Sequence, residues 1–167
     1  ASTTEETYME VIRGKTAMLF EASTHSAAAL AGATPEQSEA LRTFGDHLGV
    51  AFQLVDDLLD YRGDAETLGK NVGDDLAEGK PTLPLIYTMR EGTPEQAALV
   101  RKAIQKGGIE DLESIRAAVE ASGSLEYTAQ LARDFVARAI VCLEALPPSE
   151  YRDALVELSE FAVARTH

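Results

Sequence analysis

One cysteine in 167 residues, Cys142, leaves no partner for a disulfide within the chain. A chain of this length can bury a core without such staples, and a lone thiol suits a reducing compartment. Long apolar runs are missing too, since no window approaches the roughly 20 apolar residues of a membrane span. The opening residues, Ala1-Ser2-Thr3-Thr4-Glu5-Glu6, carry neither a basic stretch nor an apolar segment. These absences lead to the expectation of a soluble cytoplasmic protein.

Positive charge is scarce: 15 Lys and Arg stand against 28 Asp and Glu, a formal net charge of -13. Affinity for nucleic acid rests largely on lysine and arginine displacing counterions, so this chain would repel a phosphate backbone. A smaller phosphorylated ligand would need metal ions or a few well-placed lysines, because the overall field opposes it. Histidine is sparse and scattered, at His25, His47 and His167, which disfavours zinc. No segment alternates β-branched residues as a strand would, so the expected fold class is all-α, a helical bundle. Internal repeats, low-complexity tracts and long linkers are also lacking, and residues 1–167 read as one domain.

What is present begins with helix starts. Thr3-Thr4-Glu5-Glu6, Thr34-Pro35-Glu36-Gln37 and Thr93-Pro94-Glu95-Gln96 each place a threonine at the cap and Glu or Gln three residues on. The first predicted helix spans residues 4–31, with Met9, Ile12, Thr16, Leu19 and Ser23 on one face. The second spans 35–61, burying Leu41, Phe44, Leu48, Phe52, Val55 and Leu59, and stops at Gly63. Glycines at 63, 69, 73 and 79, with prolines at 81 and 84, then predict a charged loop. Further helices are predicted over 83–90, 94–106 (ending at Gly107-Gly108), 110–121, 125–146 and 149–164.

Asp56, Asp57 and Asp60 fall near the C-terminal end of the second helix, where the backbone dipole is already negative. Asp56 and Asp60 share a face one turn apart, a spacing at which like charges cost about 0.2–0.5 kcal/mol. No lysine or arginine lies within a turn on that face, so an external cation is the expected partner. All-carboxylate donors suit magnesium, which often bridges to substrate phosphates. Gln53, one turn earlier, extends the polar line. Taken alone, the three aspartates fit a solvated acidic helix end equally well. The following loop adds Gly69-Lys70 and Gly79-Lys80, where glycine permits close approach and lysine offers a point charge to phosphate. Lys15 and Thr16 interrupt the apolar face of the first helix, where, taken alone, the commonest explanation is a snorkelling lysine and a hydroxyl bonded to its own helix.

Gln53-Leu54-Val55-Asp56-Asp57-Leu58-Leu59-Asp60, Gly69-Lys70, Asp75 and Gly79-Lys80-Pro81-Thr82-Leu83-Pro84 together resemble the second aspartate-rich region of the trans-polyprenyl diphosphate synthases. Lys15-Thr16 resembles that family's Lys-Thr pair, and similarity continues through Gly123-Ser124-Leu125-Glu126-Tyr127. The loop and tail look most like bacterial octaprenyl-type members, which make a quinone side chain.

The resemblance implies an isoprenyl-synthase bundle that condenses an allylic diphosphate with isopentenyl diphosphate, with magnesium assisting ionisation. It implies metal ligation by Asp56, Asp57 and Asp60, diphosphate binding by Lys15, Lys70 and Lys80, and stabilisation of developing positive charge by Thr16 and Gln53. The family's first aspartate-rich motif, the Arg-Arg pair after it and the basic residues that receive isopentenyl diphosphate are all absent. The chain therefore resembles the C-terminal half of a synthase, whose partners would be its own N-terminal half and a second copy in a homodimer. The alternative is a non-catalytic short homologue or regulatory subunit pairing with a complete synthase. Such members usually lose their acids, whereas this chain keeps them.

Overall fold

In the computed structural model, which describes residues 3–62, 73–106 and 112–164, every regular element is helical. The first helix opens at Thr4, whose Oγ1 accepts the Thr7 N–H at 3.2 Å, one residue later than the pairing of Thr3 with Glu6 would require. It comprises α1 (Glu5–Ile12), a single widened π-turn (Arg13–Ala17) and α2 (Met18–Leu30). The extra residue of a π-turn shifts the inward face by one position. Burial therefore passes from Tyr8 and Ile12 to Ala17 and Ala28. The uniform face expected for residues 4–31 is corrected: Leu19 is 73% exposed and Ser23 is exposed.

Helix α3 (Pro35–Arg62) starts on a complete reciprocal cap, Thr34 N–H to Gln37 Oε1 at 3.1 Å and Gln37 N–H to Thr34 Oγ1 at 3.2 Å. Phe44, Leu48 and Val55 are buried as expected, and so are Val50, Ala51, Leu54 and Leu58, so much of its circumference is covered. Phe52 departs from the expected stripe at 39% exposed, because it faces an open apolar recess shared with Phe20, Leu48, Leu158, Phe161 and Ala162.

The expected loop contains a short helix, α4 (Asp74–Ala77). Four residues cannot sustain a helix alone. Leu76 is fully buried in the adjacent core, worth about 1.5–3 kcal/mol for a leucine, and Asp60 caps the helix start. Gly73 enters it with φ 88°, and a Cβ there would lie 2.6 Å from Leu112 Cδ1. The rest follows the sequence reading: α5 (Leu83–Glu91), α6 (Pro94–Lys106), α7 (Leu112–Ala121), α8 (Ser124–Cys142) and α9 (Glu150–Ala164). A turn of 3-10 helix, Leu143–Ala145, replaces the last turn expected for the helix over 125–146. Gly63, Gly107 and Gly108 lie outside the described residues.

The chain divides into two units, Ala1–Tyr8 with Asp56–Ala129, and Met9–Val55 with Gln130–His167. Leu58, Tyr61, Leu85, Val100, Ile115 and Val119 make the core of the first. In the second, Phe44, Leu48, Ala139 and Leu143 pack with Phe20, Leu155 and Val156. No helix among the described residues is long and apolar enough to cross a membrane.

Candidate active site

The last turns of α3 carry Asp56, Asp57 and Asp60 into the first unit. Asp57 is 3% exposed, and the buried Tyr8 hydroxyl donates to its Oδ2 at 2.5 Å. Burial and the Asp57 charge hold the Tyr8 phenol well above its ordinary pKa, so it remains a donor. Asp60 is 9% exposed; its carboxylate takes the backbone N–H groups of Asp75 and Asp74 at the start of α4, and its backbone carbonyl accepts the Gly73 N–H at 3.1 Å. The fold thus adds neutral donors that the sequence did not show, a phenol to one acid and a helix N-terminus to another.

Relief at Asp60 is incomplete. Burial, reinforced by the Asp75 charge, lifts its carboxyl to about 6 against the opposing pull of the backbone N–H groups. Its Oδ2 is buried and finds no hydrogen-bond donor among the described residues. A buried acceptor in that state costs about 1–3 kcal/mol, more when charged, and a bound cation would satisfy it. Among the described residues no three His, Cys, Asp or Glu side chains converge into a ready-made metal cage. Magnesium does not need one, since it commonly takes one or two carboxylates together with substrate phosphates and water. The donor set fits that ion.

Lys80 follows α4, and its Nζ lies 3.1 Å from Asp75 Oδ1 and 2.6 Å from Glu78 Oε2. Those two carboxylates raise its pKa further above the ordinary lysine value. The ammonium is about half exposed and held at the end of a short helix that Asp60 anchors. Lys70 lies outside the described residues.

In the second unit, Thr16 sits in the π-turn and donates its hydroxyl to Gln53 Oε1 at 2.7 Å. Two residues singled out separately in the sequence are thereby one hydrogen-bonded pair, and the hydroxyl is not spent on its own helix. Gly49 of α3 permits the approach: a Cβ there would lie 2.6 Å from the Ala17 Cα. Gly45 makes a second close crossing, where a Cβ would stand 2.8 Å from the Glu21 Cα. Gln53 is buried, and Lys15 is exposed on the same π-turn.

Tyr8 and its link to Asp57 were missed by sequence reasoning. The 49-residue separation hides the contact. A buried tyrosine on an otherwise apolar face was the only available signal, because its hydroxyl must find a partner.

The Polyprenyl synthetase family profile matches residues 1–122, and the chain belongs to that family. It is 54% identical over 163 residues to the octaprenyl diphosphate synthase of Escherichia coli strain K12, covering 97% of this chain and 50% of that protein. Among solved structures it resembles a decaprenyl diphosphate synthase from Rhodobacter capsulatus, with TM-score 0.91, 40% identity, and coverage of 99% of this chain and 52% of that one. It likewise resembles a Caulobacter crescentus polyprenyl synthase complexed with calcium and isoprenyl diphosphate, with TM-score 0.91, 43% identity, and coverage of 98% and 51%. The chain spans about half the length of these relatives.

Proposed function

We propose that the chain is part of a trans-prenyltransferase that joins an allylic diphosphate to isopentenyl diphosphate, building a long polyprenyl chain, octaprenyl by similarity, for a quinone. The observation that carries this reading is the buried oxygen of Asp60 that finds no donor among the described residues, on a helix end that also bears Asp56 and Asp57. Family membership and the likeness to a synthase bound to calcium and isoprenyl diphosphate support it.

Asp56, Asp57 and Asp60 would hold Mg2+. When bound, the ion would offset the charge of the diphosphate and make it a competent leaving group. Lys80, steadied by Asp75 and Glu78, would bind diphosphate oxygens together with Lys15 and Lys70. Thr16 keeps oxygen lone pairs while donating its proton to Gln53, and Gln53 keeps an amide carbonyl. These oxygens would face the positive charge that develops on the allylic carbon as the diphosphate departs. The departing diphosphate would take the proton lost after the new carbon–carbon bond forms, so no protein base is required. The complete enzyme would add an N-terminal half bearing the other aspartate-rich motif, and would work as a cytoplasmic homodimer.

The test is Asp56→Ala in the complete protein. Turnover should fall by about 10²-fold or more, while thermal stability without metal stays equal or rises, since a helix C-terminus loses an adverse charge worth about 0.3–1 kcal/mol. Normal turnover with lowered stability would sink the metal-site reading.

A further inference from the structure

Tyr8 stands out because a buried phenol is spent on a carboxylate rather than on backbone. Three residues earlier, on the same face of α1, Glu5 is held at both of its oxygens. Its Oε1 accepts the Tyr127 hydroxyl at 2.7 Å, and its Oε2 accepts Arg90 Nη1 at 2.7 Å. Arg90 is itself fixed. Its guanidinium lies 5.2 Å from the Tyr87 ring centroid and 5.8 Å from that of Tyr127, and its Nε donates to Glu91 at 2.7 Å. The two tyrosine rings stack at 4.4 Å between centroids. The first turn of α1, which would otherwise fray, is therefore clamped to α5 and α8 within one unit.

We infer that Tyr8 is a positioning residue for Asp57, and that the Glu5–Arg90–Tyr127 clamp sets the depth and rotation of α1 that bring the Tyr8 hydroxyl onto Asp57 Oδ2. This rests on the metal-binding role proposed above. A hydroxyl donated to one carboxylate oxygen restricts rotation of the group, so the carboxylate is already oriented when a cation arrives. It also draws off part of the charge that would otherwise repel Asp56 and Asp60. Phenylalanine would fill the same space and remove that hydrogen bond. The clamp itself acts on Asp57 only through α1, because its residues bond to Glu5 and to one another.

The experiment uses the complete protein, with Mg2+ titrated calorimetrically in the presence of inorganic diphosphate, and thermal unfolding followed separately in chelator. Tyr8→Phe should weaken Mg2+ by about tenfold or more, the usual loss when a group that orients a metal ligand is removed. Turnover should recover towards wild type when Mg2+ is raised to saturation. Glu5→Gln should weaken Mg2+ in the same direction by a smaller factor, and the Glu5→Gln, Tyr8→Phe double variant should bind no more weakly than Tyr8→Phe alone.

Unchanged Mg2+ affinity in Tyr8→Phe, with lowered melting temperature, would overturn the inference and leave Tyr8 a packing residue. Losses that multiply in the double variant would overturn the link through the clamp. If Tyr8→Phe does not fold, Glu5→Gln decides, since unaltered Mg2+ affinity there refutes the clamp's role. Failure of the wild-type protein to bind Mg2+ with diphosphate would instead overturn the prenyltransferase reading on which this one rests.

Discussion

Replacing Asp60 by asparagine should stabilise the metal-free chain at neutral pH, and the gain should vanish in acid. The Asp60 carboxyl titrates near 6 in the fold against an ordinary value of 3.8. The folded state therefore holds this proton more tightly than the unfolded state, and binds more protons between about pH 4 and 6. Stability must fall as pH rises through that window and then stay level. A shift of about two units, at 1.36 kcal/mol each, makes the ionised carboxylate cost about 3 kcal/mol at pH 7.5. Asparagine removes the charge while retaining an oxygen for the backbone N–H groups at the start of α4. Its amide hydrogens meet the place where Oδ2 finds no donor among the described residues, and leaving them unpaired returns about 1–3 kcal/mol. That penalty does not depend on pH, whereas the charge effect does. Urea unfolding in chelator, followed by helical circular dichroism at pH 7.5, 5 and 4, should show the stability of Asp60→Asn relative to wild type improving by about 2–3 kcal/mol from pH 4 to pH 7.5. Mg2+ with diphosphate should then reverse the order at pH 7.5, since ligand at a hundredfold over its Kd stabilises wild type by about 2.7 kcal/mol. A difference independent of pH would refute the argument and reduce Asp60 to a helix cap.

Other consequences follow from packing and charge. Gly49→Ala drives a Cβ to 2.6 Å from the Ala17 Cα, and should cost about 1–3 kcal/mol in urea unfolding, with turnover falling because the Thr16–Gln53 pair is pushed apart. A melting temperature equal to wild type would disprove that close crossing. Thr34→Ala breaks a reciprocal cap remote from the acidic cluster and should cost about 1 kcal/mol with no change in Mg2+ affinity, checked by the same unfolding and calorimetry. Diphosphate alone should give no measurable heat with the complete protein until Mg2+ is added, and binding undiminished by chelator would contradict the site's charge balance.

The helices were legible wherever local chemistry decides. Thr34 with Gln37 and Thr93 with Gln96 cap helices at the expected positions, and Pro94–Lys106 matches its predicted span. The π-turn was not legible, because nothing in Arg13–Ala17 distinguishes an added residue from a regular turn until its neighbours are placed. That one residue moved the buried face from Leu19 and Ser23 to Ala17 and Ala28. Helix α4 escaped for a related reason: a buried leucine and a cap 14 residues upstream stabilise it, and both are tertiary contacts. At the candidate site, the sequence brought the aspartates and Thr16 with Gln53 into view. It hid the Tyr8 donor, whose partner lies 49 residues away.

On the proposed reading, charge is the reason a cation would join the aspartates. The chain carries -13 overall, so its field cannot draw a diphosphate in. In the first unit Lys80 is held by Asp75 and Glu78, and Asp75 also bears on Asp60. Tyr8 gives Asp57 a neutral hydrogen bond, and the backbone N–H groups at the start of α4 give Asp60 partial charge. Neutral donors can orient carboxylates without cancelling them. A fold seeking stability alone would place amides at these positions, with the same shape and little cost of ionisation. On the proposed reading, three carboxylates at one helix end, Asp57 and Asp60 of them buried, would suit a divalent ion that also takes diphosphate oxygens.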